Sequence, residues 1–136
     1  MKKWDEIAKN LKFVDDNFVL GTGYFARAKK YREKGYSVFS IALFAPKGFE
    51  SISCFAPNEK LLSDYKKGVI GEDEYIRRYY EENLEKIDPF DMVNKLLAYN
   101  NPVVLCYEKP FSFCHRHIIS DWLSSKTSAL CGEAKI

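Results

Sequence analysis

Residues 103–123, VVLCYEKPFSFCHRHIISDWL, bring two carboxylates, two thiols, two imidazoles and a guanidinium into one short stretch. An apolar run, Val103 to Tyr107, is followed by a polar turn from Glu108 to Phe113 and then by Cys114-His115-Arg116-His117. A cysteine beside a histidine and an arginine near a helix start is placed to ionise, so Cys114 is a candidate nucleophile or thiolate ligand. The competing reading is a small buried residue that wedges the loop. Arg116 offers a fork of donors near backbone N–H groups, suited to a phosphate or carboxylate. Its alternative is an internal salt bridge to Glu108. Glu108, leaving the strand, is a candidate general acid or base, or else orients Arg116 or His115. His115 is a candidate proton carrier, and His117 reads as a surface or capping residue. Lys109 is expected in solvent and Cys106 in core packing, while Cys54 and Cys131 carry no signal.

Spacing tests two familiar chemistries. A tyrosine-phosphatase loop needs an arginine six positions after its cysteine, and Ser120 stands there. A zinc site would draw on Cys106, Cys114, His115 and His117, but adjacent residues rarely bind one ion and Cys106 sits in the strand. No metal is therefore assigned, and no cofactor is identified. A Walker lysine loop and a Rossmann glycine fingerprint are both absent, and Gly21-Thr22-Gly23 alone is weak.

The elements that must hold these groups follow from hydrophobic spacing. Ile118, Ile119, Trp122 and Leu123 lie on one helical face, which makes 103–123 a strand, a loop and a helix. Upstream, Trp4, Ile7, Ala8 and Leu11 predict a short amphipathic lead-in, so residues 1–15 are expected to be a helical extension. Phe18 to Leu20 is a candidate first strand, broken by Gly21-Thr22-Gly23. A helix is expected from Tyr24 to Lys34, stopped by Gly35. A second strand is expected over 37–44, ended by Pro46, with a short one from Ser51 to Phe55. Asn58 can cap a helix, another runs from about Glu72 to Lys86, and Asp88-Pro89 opens a third. Ser128 to Cys131 predicts a last short strand.

This alternation predicts a single-domain, three-layer α/β fold: a mainly parallel sheet of about four to five strands with helices on both faces. Ligands in such folds bind beyond the carboxyl ends of the strands. That edge would collect Thr22 and Tyr24 after the first strand, Lys47 after the second, Glu108 and the Cys-His-Arg run after the central one, and Glu133 after the last. Tyr24, Phe25, Tyr107, Phe111 and Phe113 flank it. Rings beside a cation can stack a base, although most aromatics in a chain with 10 Phe and 9 Tyr belong to the core.

The run VVLCYEKPFSFCHRHIISDWL resembles the domain-of-unknown-function 488 family, in its branch of short, stand-alone members. Those members show an apolar strand, Cys-Tyr-Glu-Lys-Pro, a short gap, then Phe-Cys-His-Arg-His and a helix. Gly23-Tyr24-Phe25-Ala26 with Lys29-Lys30, Ser40-Ile41-Ala42 before Pro46-Lys47, and Ala56-Pro57 add to the likeness, which spans residues 18–134. Where the branch often has Thr-Ser-Tyr-Phe, this chain has Thr22-Gly23-Tyr24-Phe25, so one hydroxyl is missing. The resemblance implies a fold and a site at the Cys-His-Arg run; by its name the family implies no reaction.

Composition narrows the partners. At 136 residues with 46% hydrophobic and 15% aromatic side chains, the chain can bury a real core. A net charge of +2 gives no broad basic field for nucleic acid, and the Lys29, Lys30, Arg32, Lys34 cluster reads as a solvated helix face. Met1-Lys2-Lys3 leads into Trp4-Asp5-Glu6 rather than an apolar signal core, and the apolar runs are too short to span a bilayer. Four cysteines without C-x-x-C spacing are expected to be reduced thiols in the cytoplasm. The functional expectation is an enzyme acting on a nucleotide, nucleic acid or other phosphorylated ligand, with Arg116, Thr22, Tyr24 and Lys47 for the anion and Cys114, His115 and Glu108 for chemistry. A non-catalytic binding module and a structural staple are the alternatives.

Overall fold

Val103, Val104 and Leu105 are wholly buried and Cys106 nearly so, because the strand they form lies inside the sheet with helices over both faces. In the computed structural model, which describes residues 2–109 and 112–136, the strands are β1 (Phe13–Val14), β2 (Leu20–Tyr24), β3 (Ser37–Ser40), β4 (Pro102–Cys106) and β5 (Cys131–Ala134). They make one parallel sheet in the order β1-β5-β2-β4-β3. The helices are α1 (Trp4–Lys9), α2 (Ala28–Glu33), α3 (Glu59–Lys66), α4 (Glu72–Glu82), α5 (Pro89–Leu96) and α6 (His115–Thr127). This is the three-layer α/β architecture the alternation of elements implies.

Strand alternation divides β4 between two cores. Val103 and Leu105 face Tyr31 and Ala28 of α2, along with Phe18 and Tyr36. Val104 and Cys106 face the larger core, built from α1, α3, α4, α5 and α6 around Tyr79, Leu61, Leu96, Ile118 and Trp122. A period of two thus sends the last residue of the strand, Cys106, to the side from which α6 starts.

Several local expectations are corrected. Glycines at 21 and 23 do not break the first strand but belong to it, because neighbours press on the backbone there. A Cβ at Gly23 would lie 2.5–2.6 Å from the Tyr31 ring and hydroxyl, and one at Gly21 would lie 2.6 Å from Phe18. The hydroxyl missing at position 23 thus leaves room for Tyr31. The N-terminal segment is not only helical: β1 pairs with β5 at the sheet edge, while α1 buries Ile7 and Lys2 bonds Asp121 of α6 at 2.8 Å. β3 ends at Ser40, four residues early, where the Ser40 hydroxyl accepts from Ala42 N at 3.2 Å. Only a bridge at Ser51 and a 3-10 turn over Ser53–Phe55 stand in the place of the strand expected there. The last strand starts where it was expected to stop, since Ser128 closes α6 in the left-handed region (φ 61°). The caps at Asn58 and Asp88 form as expected, each side chain accepting from the first turn of its helix. Among the described residues no helix is long and apolar enough to cross a membrane.

Candidate functional site

The carboxyl ends of β3 and β4, the N-terminus of α6 and the segments before and along α3 and α4 enclose a cavity of about 190 Å³. Its polar lining includes Cys106, Glu108, Cys114 and His115. Tyr65, Tyr75 and Phe113 wall it, and their rings pack edge-on or tilted at centroid distances of 5.1–5.4 Å. Phe44 and Tyr107 also line it yet are 66% and 58% exposed, so they form the mouth. The Tyr107 hydroxyl donates to the Phe44 carbonyl at 2.7 Å, and its ring lies 4.7 Å from Phe25. Lys66, an exposed cation, completes the rim.

Cys114 is the N-cap of α6 in an extended conformation (φ −159°, ψ 145°), and His115 is the first helical residue. Neighbours at such a junction can aim at one point, as they cannot within a regular helix or strand. Cys114 Sγ lies 3.8 Å from His115 Nδ1, and the sulfurs of Cys106 and Cys114 meet at bonding distance. Cys106 is therefore part of the site rather than a core residue alone, and the two cysteines are not the separate thiols expected; Cys54 and Cys131 are free. Glu108 Oε2 lies 3.3 Å from Cys106 Sγ.

His115 Nε2 is 2.8 Å from the Ile41 carbonyl. A carbonyl can only accept, so Nε2 carries the proton and Nδ1 keeps its lone pair toward the sulfurs. Burial holds the ring neutral, its pKa pushed down to about 4, and Arg116 acts in the same direction. His117 is not the surface residue expected. It is 1% exposed, turned toward Trp4 and away from the cavity, with its pKa pushed down to about 3 by burial.

Arg116 requires the largest correction. It is fully buried, and its guanidinium is committed inside the protein. Nε and Nη2 donate to the two Glu133 oxygens at 3.2 and 3.0 Å, while Nη1 donates to the Glu108 carbonyl at 2.6 Å and to Cys106 Sγ at 3.3 Å. The ion-pair partner is thus Glu133, inside β5 rather than beyond it, and not the Glu108 carboxylate. Thr22 also donates to Glu133, so its hydroxyl is spent inside the same cluster. The Tyr24 ring lies 6.0 Å from the guanidinium, and its hydroxyl accepts from Arg27 Nε at 3.2 Å. Tyr31, behind the sheet, has its pKa pushed up to about 12 by burial and by Glu133. Lys47 is exposed in the loop after β3 and is not among the residues lining the cavity.

Of the candidates, Cys114, His115 and Glu108 share the cavity, whereas Arg116 and Thr22 form an internal brace behind it. Phe111 falls outside the described residues. Lys66 was missed as a site residue; Cys106 was assigned to core packing, and Glu133 was placed at this edge without its partner Arg116. A lone carboxylate in the buried run Cys131-Gly132-Glu133-Ala134 was the available signal for Glu133, since a charge in a covered strand needs a partner.

No curated protein and no solved structure matches the chain. A family model described as the active DUF488-N3 subclade, DUF488-N3a, matches residues 26–127, which contain Cys106, Glu108, Cys114, His115 and Arg116 but not Thr22, Tyr24 or Glu133. With well over half of its length matched, the chain belongs to the domain-of-unknown-function 488 family.

Proposed function

We propose that the chain is an enzyme acting on a nucleotide, a nucleic acid or a related phosphorylated ligand held in the cavity at the carboxyl edge of the sheet. The observation that carries this reading is the pairing of a mouth of exposed aromatic rings, Phe44 and Tyr107, with a polar floor of Cys106, Cys114, His115 and Glu108. Large rings left in solvent at a cavity mouth suit a flat ligand such as a base. With Arg116 engaged internally, Lys66 and the N-terminus of α6 are the groups suited to a phosphate. Glu108 is exposed at the loop and serves as the proton carrier, while neutral His115 presents an acceptor at Nδ1. The description of the matching subclade as active agrees with a catalytic role.

The test is a panel of adenosine, AMP, a sugar phosphate and a short single-stranded oligonucleotide. Binding is followed by thermal shift and turnover by mass spectrometry. AMP or the oligonucleotide should bind, and Tyr107→Leu should weaken that binding roughly five- to a hundredfold, the worth of one stacked base. Glu108→Gln should retain binding and lose turnover. Binding without turnover would favour the non-catalytic module; no binding by any member of the panel would reject both readings.

A further inference from the structure

We infer that, once a thiol reductant has opened the bond between their sulfurs, Cys106 and Cys114 join His115 in holding a divalent transition-metal ion, zinc being the best match to their chemistry, with a fourth position facing the cavity. The inference rests on the same cavity being the working site, but metal binding can be read without any substrate.

Convergence is the first support. The two Sγ atoms and the imidazole nitrogen all lie within 4.8 Å of one another and come from three buried residues. Two ligands at about 2.3 and 2.1 Å from a tetrahedral zinc would be about 3.6 Å apart. Cys114 Sγ and His115 Nδ1 stand at 3.8 Å, so the adjacent pair that sequence spacing argued against is already near ligating separation.

Backbone spacing is the second. The Cα atoms of Cys106 and Cys114 are 7.7 Å apart, wider than the roughly 4.4–6.8 Å that a disulfide spans. Reduced to two thiols, the bonded pair can separate to the roughly 3.8 Å that a shared ion would require.

Outer contacts supply the third. Metal-bound histidines commonly donate their other N–H to a carbonyl, which fixes the tautomer and ring direction, and His115 Nε2 is bonded in this way to Ile41 O at 2.8 Å. Arg116 Nη1 donates to Cys106 Sγ at 3.3 Å, a contact that stabilises a thiolate. Two thiolates and a neutral imidazole balance a doubly charged ion, and such mixed sulfur and nitrogen sets select zinc over magnesium or calcium. Three protein ligands beside a cavity are the arrangement in which zinc retains a water or a substrate atom. Glu108, 3.3 Å from Cys106 Sγ, is the adjacent group able to take a proton from that water.

The experiment uses the full chain, purified under reducing, oxygen-free conditions, stripped with a chelator and titrated with Co²⁺ and then Zn²⁺. One equivalent of Co²⁺ should give a thiolate-to-cobalt charge-transfer band and intense tetrahedral visible bands, both displaced by Zn²⁺. Cys106→Ser, Cys114→Ser and His115→Ala should each weaken binding at least ~tenfold, as even supporting residues of metal sites do; Cys54→Ser and Cys131→Ser should not. Circular dichroism establishes that each variant is folded, and the wild-type spectrum tests the inference without any variant. A reduced wild-type chain that takes up no Co²⁺, or a cobalt spectrum without thiolate character, overturns the inference. So does a charge-transfer band that survives intact in Cys106→Ser. Cobalt binding with no activity on the ligand panel would reject the function above and leave the metal site standing; turnover by a reduced chain that takes up no Co²⁺ would do the reverse.

Discussion

Replacing Glu133 by Gln should be among the most damaging conservative changes in the chain. The side chains of Arg116 and Glu133 are 0% and 2% exposed, so water cannot take over for a lost partner. The substitution keeps the volume but leaves one amide oxygen where two carboxylate oxygens accepted from Nε, Nη2 and Thr22. It also leaves a buried guanidinium without a counter-charge. Breaking such a pair by removing one member costs about 3–5 kcal/mol. For a chain of this length 1 kcal/mol is worth roughly 3–4 °C, so the midpoint should fall by about 10–20 °C. Thermal and urea unfolding, followed by circular dichroism on chelator-treated protein, would read this. Replacing both partners, Arg116→Met with Glu133→Leu, should recover most of the loss, because the desolvation of both charges is then avoided. A single variant that loses less than about 1 kcal/mol, or a double variant as unstable as the two singles together, would refute the assignment of this pair as a buried, mutually dependent unit.

Gly23→Ala should destabilise by about 1–3 kcal/mol, since the added methyl meets the Tyr31 ring and hydroxyl at 2.5–2.6 Å; an unchanged urea midpoint would contradict that packing. The buried histidines make the metal-free fold sensitive to acid. Both pKa values are depressed, to about 4 and about 3, so between those values and the ordinary 6.5 the unfolded chain binds protons that the folded chain does not. Stability should therefore fall as pH drops below about 6.5, by up to ~1.4 kcal/mol per unit for each ring, and His117→Leu should halve the slope measured between pH 7 and pH 5. Asp88→Ala should cost about 1 kcal/mol by removing the acceptor for Phe90 N and Asp91 N at the start of α5, a loss that Asp88→Ser should largely avoid.

The layer order, the caps and the clustering of Glu108, Cys114 and His115 at one cavity were legible because each depends on local spacing. Asn58, Asp88 and the apolar run before Glu108 act on their own neighbours. Arg116 was misread because its partner lies in β5, 17 residues away in the chain, and only the crossing of α6 from β4 to the far side of β2 brings Glu133 beneath it. Cys106 was misread for a related reason. As an interior strand residue it looks like packing, and only the face chosen by alternation and the extended N-cap at Cys114 turn the two sulfurs together. Gly21-Thr22-Gly23 looked like a break because glycine weakens an isolated strand. Here Phe18 and Tyr31 occupy the volume that side chains would need.

The same guanidinium that grips Glu133 also grips the Glu108 carbonyl, so one side chain fastens the stretch after β4 to a strand two positions away in the sheet. Movement of that stretch to admit a bulky guest would have to slip this latch. Amide exchange in β5 should then speed up in step with opening at the entrance, although no residue of that strand lines the cavity.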